Sequence, residues 1–317
     1  MNRVCKILGI QKPVIQAPMM WITSPKLVAA VSNAGGLGVL GLNGGFKKPV
    51  FTLEETMSEL RNSIHQIKEL TDKPFGVNVF PSANDPMGLS KPIIQVCKEE
   101  NVKILVTVGA ASPKEYDQWK KDGFTLIARD FNPTVRGAIA LENAGADIIV
   151  ATGCDEGGCM PSLSTGTTSA VALLSDAVKV PVLAAGGIIN EKMAKAAAIV
   201  GAEGAYVGTR FILSKECPAC DDAKKDIMNT HPDDYITFSL MNGFAKFRTT
   251  PHKSGKEALQ ANLKGNLNPS TGDFYSSMIK GNLDEGCNTI CNVANLIKSI
   301  DSCKDIVDEI ARAWVNK

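Results

Sequence analysis

Eight short apolar runs, rich in β-branched residues, recur along the first two thirds of the chain. They are Val14 to Ala17 (VIQA), Leu37 to Gly41 (LGVLG), Phe75 to Val79 (FGVNV), Lys103 to Val108 (KILVTV), Thr125 to Arg129 (TLIAR), Asp147 to Ala151 (DIIVA), Val182 to Ala185 (VLAA) and Ala205 to Gly208 (AYVG). Runs this continuously apolar suit strands buried on both faces, as a parallel sheet requires. The stretches between them carry apolar residues at helical spacing, as in Pro25 to Asn33, Leu53 to Thr71 and Asn190 to Val200. Two of them, in AVSNAGGLG and AAIVGAEGAY, are followed by glycine just past the last apolar turn, where a left-handed cap ends a helix. Eight strands alternating with helices predict an α/β fold, a closed (β/α)8 TIM barrel. A doubly wound open sheet is the competing arrangement and needs fewer strands.

The alternation fades after Phe211. Residues 212–285 are rich in Lys, Asp, Asn and Ser and include HPDDY, PHKSG and NPSTGDFY. They read as a mostly helical lid over the barrel mouth. The expected organisation is a barrel over 1–211, this lid or substrate region over 212–285, and C-terminal helices over 286–317 that pack back on the barrel. Two such helices are expected, near Ile290 to Ile300 and near Cys303 to Trp314.

Composition narrows the partners. With 34 basic and 33 acidic residues among 317, the formal charge is +1, so no global field draws the chain to nucleic acid or to an anionic membrane. No apolar stretch reaches the ~20 residues of a membrane-spanning helix, and no secretion signal is visible. A cytoplasmic protein acting on a small molecule is expected, and a homodimer is one assembly open to it. Nine cysteines, an odd number in a large chain, read as reduced thiols.

Candidate chemistry gathers at the strand ends. PVLAAGGI runs into Gly186 and Gly187 after Ala185, and GAYVGTRF runs into Gly208 and Thr209. Glycine lets backbone N–H groups converge on an anion, and the loops after strands seven and eight of a barrel are a recurrent phosphate site. One such loop would read equally well as a tight strand end; two in succession favour phosphate. In AGGLGVLG the glycines end a helix and enter a strand, the reverse of a dinucleotide fingerprint, so Gly35, Gly36 and Gly38 read as turn and packing residues. Ala17, Pro18 and Met19 in IQAPMMW present small and soft groups to which a flat ring can lie close, although core filling explains the methionines almost as well. Asn78 is the polar side chain in FGVNV; it serves either a ligand or a neighbouring strand.

GCDEGGCMP, residues 153 to 161, leaves three roles open for Cys159: nucleophile, metal ligand or gap filler. The pairs CPAC (Cys217, Cys220) and CNTIC (Cys287, Cys291) lack the flanking glycines or basic cluster of a metal motif, and no metal is expected. None of the three histidines, His65, His231 and His252, stands in a hydrolase arrangement.

Taken together, APM, VSNAGGLGVLG, GVNV, GGC, LAAGGI and YVGTRF resemble the nitronate monooxygenase (2-nitropropane dioxygenase) family, whose relatives include the FMN-dependent enoyl-ACP reductase II enzymes. The resemblance spans nearly all of residues 1–215 and continues more weakly through MIKGNLDEG. It implies a barrel holding FMN at its C-terminal face. Ala17, Pro18 and Met19 would lie along the flavin ring and Asn78 would contact the cofactor. Gly157 and Gly158 would border the pocket, and the LAAGGI and YVGTRF loops, Ala185 to Gly187 with Gly208 and Thr209, would hold the phosphate.

The sequence departs from the family where proton transfer is assigned. Members commonly carry Glu, a small residue, Gly-Gly and His in the GGC stretch, with the His as base or proton donor. Here Asp155, Glu156 and Cys159 take those places, and Cys291 and Asn292 replace a usual Gly and Gln. A thiol (~8.5) is a poorer base near neutrality than imidazole (~6.5), yet can still donate a proton. The first functional expectation is therefore reduction of an activated C=C bond, an enoyl thioester or enone, with NADH or NADPH as reductant. Cys159, Tyr235 or Tyr275 would be the acid. The second is oxidation of preformed alkyl nitronates with O2, which needs no base; the third is a non-catalytic flavin-binding module.

Overall fold

All eight apolar runs become parallel strands in the computed structural model, which describes residues 2–110 and 112–315. They are β1 (Val14–Gln16), β2 (Gly38–Leu40), β3 (Phe75–Val79), β4 (Ile104–Val108), β5 (Thr125–Arg129), β6 (Ile148–Thr152), β8 (Val182–Ala185) and β9 (Gly204–Val207), while β7 (Gly158–Pro161) lies outside the barrel. Pairing runs β1-β9-β8-β6-β5-β4-β3-β2, and a parallel bridge between Ile15 and Leu37 closes the circle. This seam is short. Buried Gln16 reinforces it, its Oε1 accepting from Val39 N at 3.1 Å.

Alternation along the strands divides two cores. Ile15, Val39, Ile104, Val106, Ile127, Val150 and Leu183 fill the barrel interior, joined by Val4, Cys5 and Leu8 of the helix Arg3–Leu8. Residues one position away, such as Leu105, Leu126, Ile149 and Ala184, pack outward under the surrounding helices. These helices start where their caps dictate. Ser24 accepts from Leu27 N ahead of Pro25–Asn33, Thr52 caps Leu53–Leu70 and exchanges a hydrogen bond with Glu55, and Asn190 caps Glu191–Ile199. No described helix is long and apolar enough to cross a membrane.

The region after Phe211 holds helices Asp221–Asn229 and Lys253–Leu263 and a π-helical turn Tyr275–Ile279. It also holds an unexpected hairpin, β10 (Ile236–Leu240) and β11 (Ala245–Thr249), whose second strand pairs antiparallel with β7. Phe247 thus sits opposite Cys159, stacked on Phe238 at 5.5 Å. The signal was present in the sequence: ITFSL and AKFRT flank Met241-Asn242-Gly243, all three at positive φ, and the second strand buries alternate residues.

Of the two expected C-terminal helices, one forms, Cys303–Val315. It packs against helices 25–33 and 191–199, with Trp314 Nε1 donating to Ala202 O at 2.7 Å. Residues 290–300 contain only a 3-10 turn, Ala294–Leu296. Their backbone is engaged elsewhere: Cys291 N donates to Thr209 Oγ1 (3.2 Å) and Asn292 N to Asp155 O (3.1 Å). Tertiary partners replace the helical ladder and bring this segment to the barrel mouth.

Gly38 lets helix 25–33 touch β2: a Cβ there would lie 2.2 Å from Val28 O and 2.7 Å from Val28 C. Because backbone must move, Gly38→Ala is expected to destabilise the protein by about 2 kcal/mol. Urea denaturation with an unchanged midpoint would contradict this packing.

Candidate active site

A cavity of about 570 Å³ opens where the barrel strands end. Its walls include Ala17, Pro18 and Met19 after β1, Asn78 of β3, Arg129 ending β5, and the Gly186–Gly187 and Gly208–Thr209 loops after β8 and β9. Asn78 Nδ2 donates to Val106 O at 2.9 Å, so the neighbouring strand takes half of its amide. Met241, Phe247, Phe274 and Met278 close the cavity from the lid side.

The two glycine loops form one polar corner of this space. Gly186 and Gly187 adopt φ of +109° and +69°, open to glycine at little cost. Thr167 Oγ1 donates to Gly186 O at 2.9 Å and to Ala185 O at 3.2 Å, pinning the carbonyl side of the loop. Among the hydrogen bonds of the described residues, none uses the N–H of Gly186, Gly187, Gly208 or Thr209 as donor. Four unpaired backbone donors from adjacent strand ends are groups that an anion could pair with.

The stretch 153–161 crosses the mouth and is tied down at each carboxylate. Asp155 Oδ2 accepts from Thr167 N (2.6 Å) and Oδ1 from Asn292 Nδ2 (2.7 Å), a purely connecting role. Glu156 turns inward to a buried ion pair with Arg129 Nη2. Arg129 is braced further by Thr152 Oγ1 (Nε, 3.0 Å) and Cys159 O (Nη2, 3.1 Å). Burial outweighs the attraction of Arg129 and Arg248 and pushes the Glu156 carboxyl up to about 7. Burial likewise pushes up the Cys159 thiol and the Tyr206 phenol.

Of the three sequence-predicted acids, only Cys159 lines the cavity. Tyr275 lies outside it, donating its hydroxyl to Lys47 O at 2.5 Å and leaning on Trp21. Tyr235 is also outside the lining, its Oη buried without a protein hydrogen bond. Both had been expected on the strength of the lid's position alone. No histidine lines the cavity; His65 pairs with Glu100 on an outer helix and His252 lies by Asp226. Arg129 and Glu156 went unassigned in the sequence, although a charged residue closing the apolar run TLIAR was the available signal. The paired cysteines do not assemble: among the described residues no group of three or more His, Cys, Asp or Glu is placed to hold a metal.

Comparison with known proteins agrees with this geometry. The sequence profile of a family described as nitronate monooxygenase matches residues 1–312. A probable nitronate monooxygenase of Staphylococcus haemolyticus (strain JCSC1435) is 31% identical over 283 residues, 76% of either chain, and one of Staphylococcus aureus (strain MSSA476) is 32% identical over 282. Among solved structures, FabK from Thermotoga maritima superposes with a TM-score of 0.86 at 28% identity, covering 99% of this chain and 96% of that one. The nitroalkane oxidase of Streptomyces ansochromogenes shares the fold, with a TM-score of 0.77 at 22% identity over 98% of this chain and 97% of that one.

Removing Arg129 leaves Glu156 buried without its partner, tolerable only as the neutral acid. Arg129→Met is expected to cost about 3 kcal/mol at alkaline pH. Below about 7 the folded carboxyl carries its proton with or without Arg129, and the penalty should shrink. Denaturant titrations of both proteins at about pH 5 and about pH 9 check this; an equal difference at the two values would contradict the buried pair.

Proposed function

The chain belongs to the nitronate monooxygenase family of FMN-dependent oxidoreductases, and from that premise we propose that it reduces an activated C=C bond at the expense of NADH or NADPH. The substrate class is an enoyl thioester or an α,β-unsaturated ketone. Bound FMN would supply the two-electron chemistry that links nucleotide to substrate. The residues present fit that group. The N–H groups of Gly186, Gly187, Gly208 and Thr209 suit its phosphate, and Ala17, Pro18 and Met19 suit its flat ring. Asn78, Gly157 and Gly158 would complete the border.

One observation carries the choice of reaction. The titratable groups offered to the cavity by the GCDEGGCMP stretch and by β9, namely Glu156, Cys159 and Tyr206, are all pushed toward their protonated forms by burial. All three hold their protons below about 7, and of them only Glu156 can release one near neutrality. Reduction of a conjugated C=C bond needs such a donor at carbon, whereas removal of a proton from a neutral nitroalkane needs a base. The likeness to FabK and the motif resemblance to enoyl-ACP reductase II enzymes support the same reading. Oxidation of a preformed nitronate, which needs no base, is the second reading, favoured by the family profile itself.

Anaerobic mixing separates the two. FMN-loaded protein is expected to bleach on addition of NADH or NADPH and to recover its absorbance when an enone or enoyl thioester follows. If neither nucleotide bleaches the flavin while ethyl nitronate does so rapidly, the reductase reading fails.

A further inference from the structure

Among the described residues lining the cavity, the titratable side chains differ sharply in what they can do. Arg210 is committed to Asp301 and to Leu213 O (3.2 Å). Burial works to raise Asp85, but hydrogen bonds led by the N–H of Ser90 outweigh it and keep that carboxyl below the usual carboxylate range. Burial holds Cys159, Cys291 and Tyr206 in their neutral forms. Glu156 remains.

Its setting is built rather than incidental. Gly153 O accepts from Glu156 N at 3.2 Å, and Arg248 Nη1 donates to Glu156 O at 2.7 Å, fixing the backbone from two sides. Arg129 reaches Oε1 while held by Thr152 and Cys159 O; no hydrogen bond engages Oε2, which is not among the sealed, unpaired polar atoms. The side chain is 15% exposed and lines the cavity. One oxygen is thus anchored and the other is left to the cavity. The charged and titratable groups facing this carboxyl are Arg129 from β5, Arg248 from β11, Cys159 from β7 and Tyr206 from β9.

We propose that Glu156 is the catalytic residue that hands a proton to the substrate in this cavity, with Arg129 as its positioning residue. The proposal rests on the reading that a reduced substrate is protonated here. The carboxyl O–H bond breaks as the proton passes to the substrate carbon, whose electron pair forms the new C–H bond. The carboxylate left behind stays against the Arg129 guanidinium, and a proton from water re-forms the acid. The residue is acidic enough to give up its proton and, at about 7, basic enough to regain it at neutral pH.

The test joins a titration without flavin to kinetics with it. Infrared difference spectra of the flavin-free protein are expected to show a carboxylic acid band lost with a midpoint near 7 and missing from Glu156→Gln. With saturating enone and NADH or NADPH, turnover should fall as pH rises through that midpoint. Glu156→Gln should lower it about 100-fold and flatten the profile. Glu156→Asp, a second variant that retains a carboxyl, should keep the alkaline limb at a reduced rate. Cys159→Ala should keep the limb at its position whatever its effect on rate, since only the anchored carboxyl changes charge in this range. A Glu156→Gln enzyme with wild-type rate and limb would overturn the proposal, as would a limb lost in Cys159→Ala instead. If neither nucleotide reduces the flavin, it is the reductase reading that fails; absence of the Glu156 band would sink the proton donor separately.

Discussion

A parallel sheet buried on both faces cannot leave its backbone groups unpaired, and that constraint organises this molecule. Closing eight strands into a circle satisfies it everywhere along the barrel wall, down to the short β1–β2 seam where Gln16 supplements a single bridge. At the ends of β8 and β9 the ladder stops, and the N–H groups of Gly186, Gly187, Gly208 and Thr209 find no acceptor among the described residues. Donors that the fold must pair elsewhere are left at the mouth without a protein acceptor.

The same mouth receives the elements that follow the barrel. β11 adds to β7 and places Phe247 against Cys159, while the irregular segment around Cys291 and Asn292 is drawn in by Thr209 and Asp155. These contacts hold GCDEGGCMP across the cavity and turn Glu156 inward to Arg129. The Cys159 thiol is held neutral by burial, and the carboxyl three positions earlier is the one pushed up to about 7. Burial creates that property, and the guanidinium makes it bearable.

Much of this was legible in the sequence. Continuous apolar runs give strands that are buried on both faces, so the barrel followed from periodicity, and glycines after two consecutive runs marked the loops that meet at its mouth. Residues 290–300 misled because their helical spacing carries no information about competing tertiary partners for Cys291 N and Asn292 N. The hairpin was overlooked because ITFSL and AKFRT lie in polar surroundings, although Asn242-Gly243 advertised the turn. Tyr235 and Tyr275 belong to the right region but neither lines the cavity, since lid membership does not fix where a side chain goes. The Arg129–Glu156 pair was hidden for a different reason: the charge closing TLIAR marks Arg129, but nothing in the sequence says which carboxylate it meets.

The central claim is that unpaired strand-end N–H groups hold a phosphate, and flavin binding tests it most directly. Fluorescence titration of flavin-free protein should give at least about tenfold tighter binding for FMN than for riboflavin, with inorganic phosphate competing, as backbone donors aimed at an anion require. Equal affinities for the two flavins, unaffected by phosphate, would contradict it.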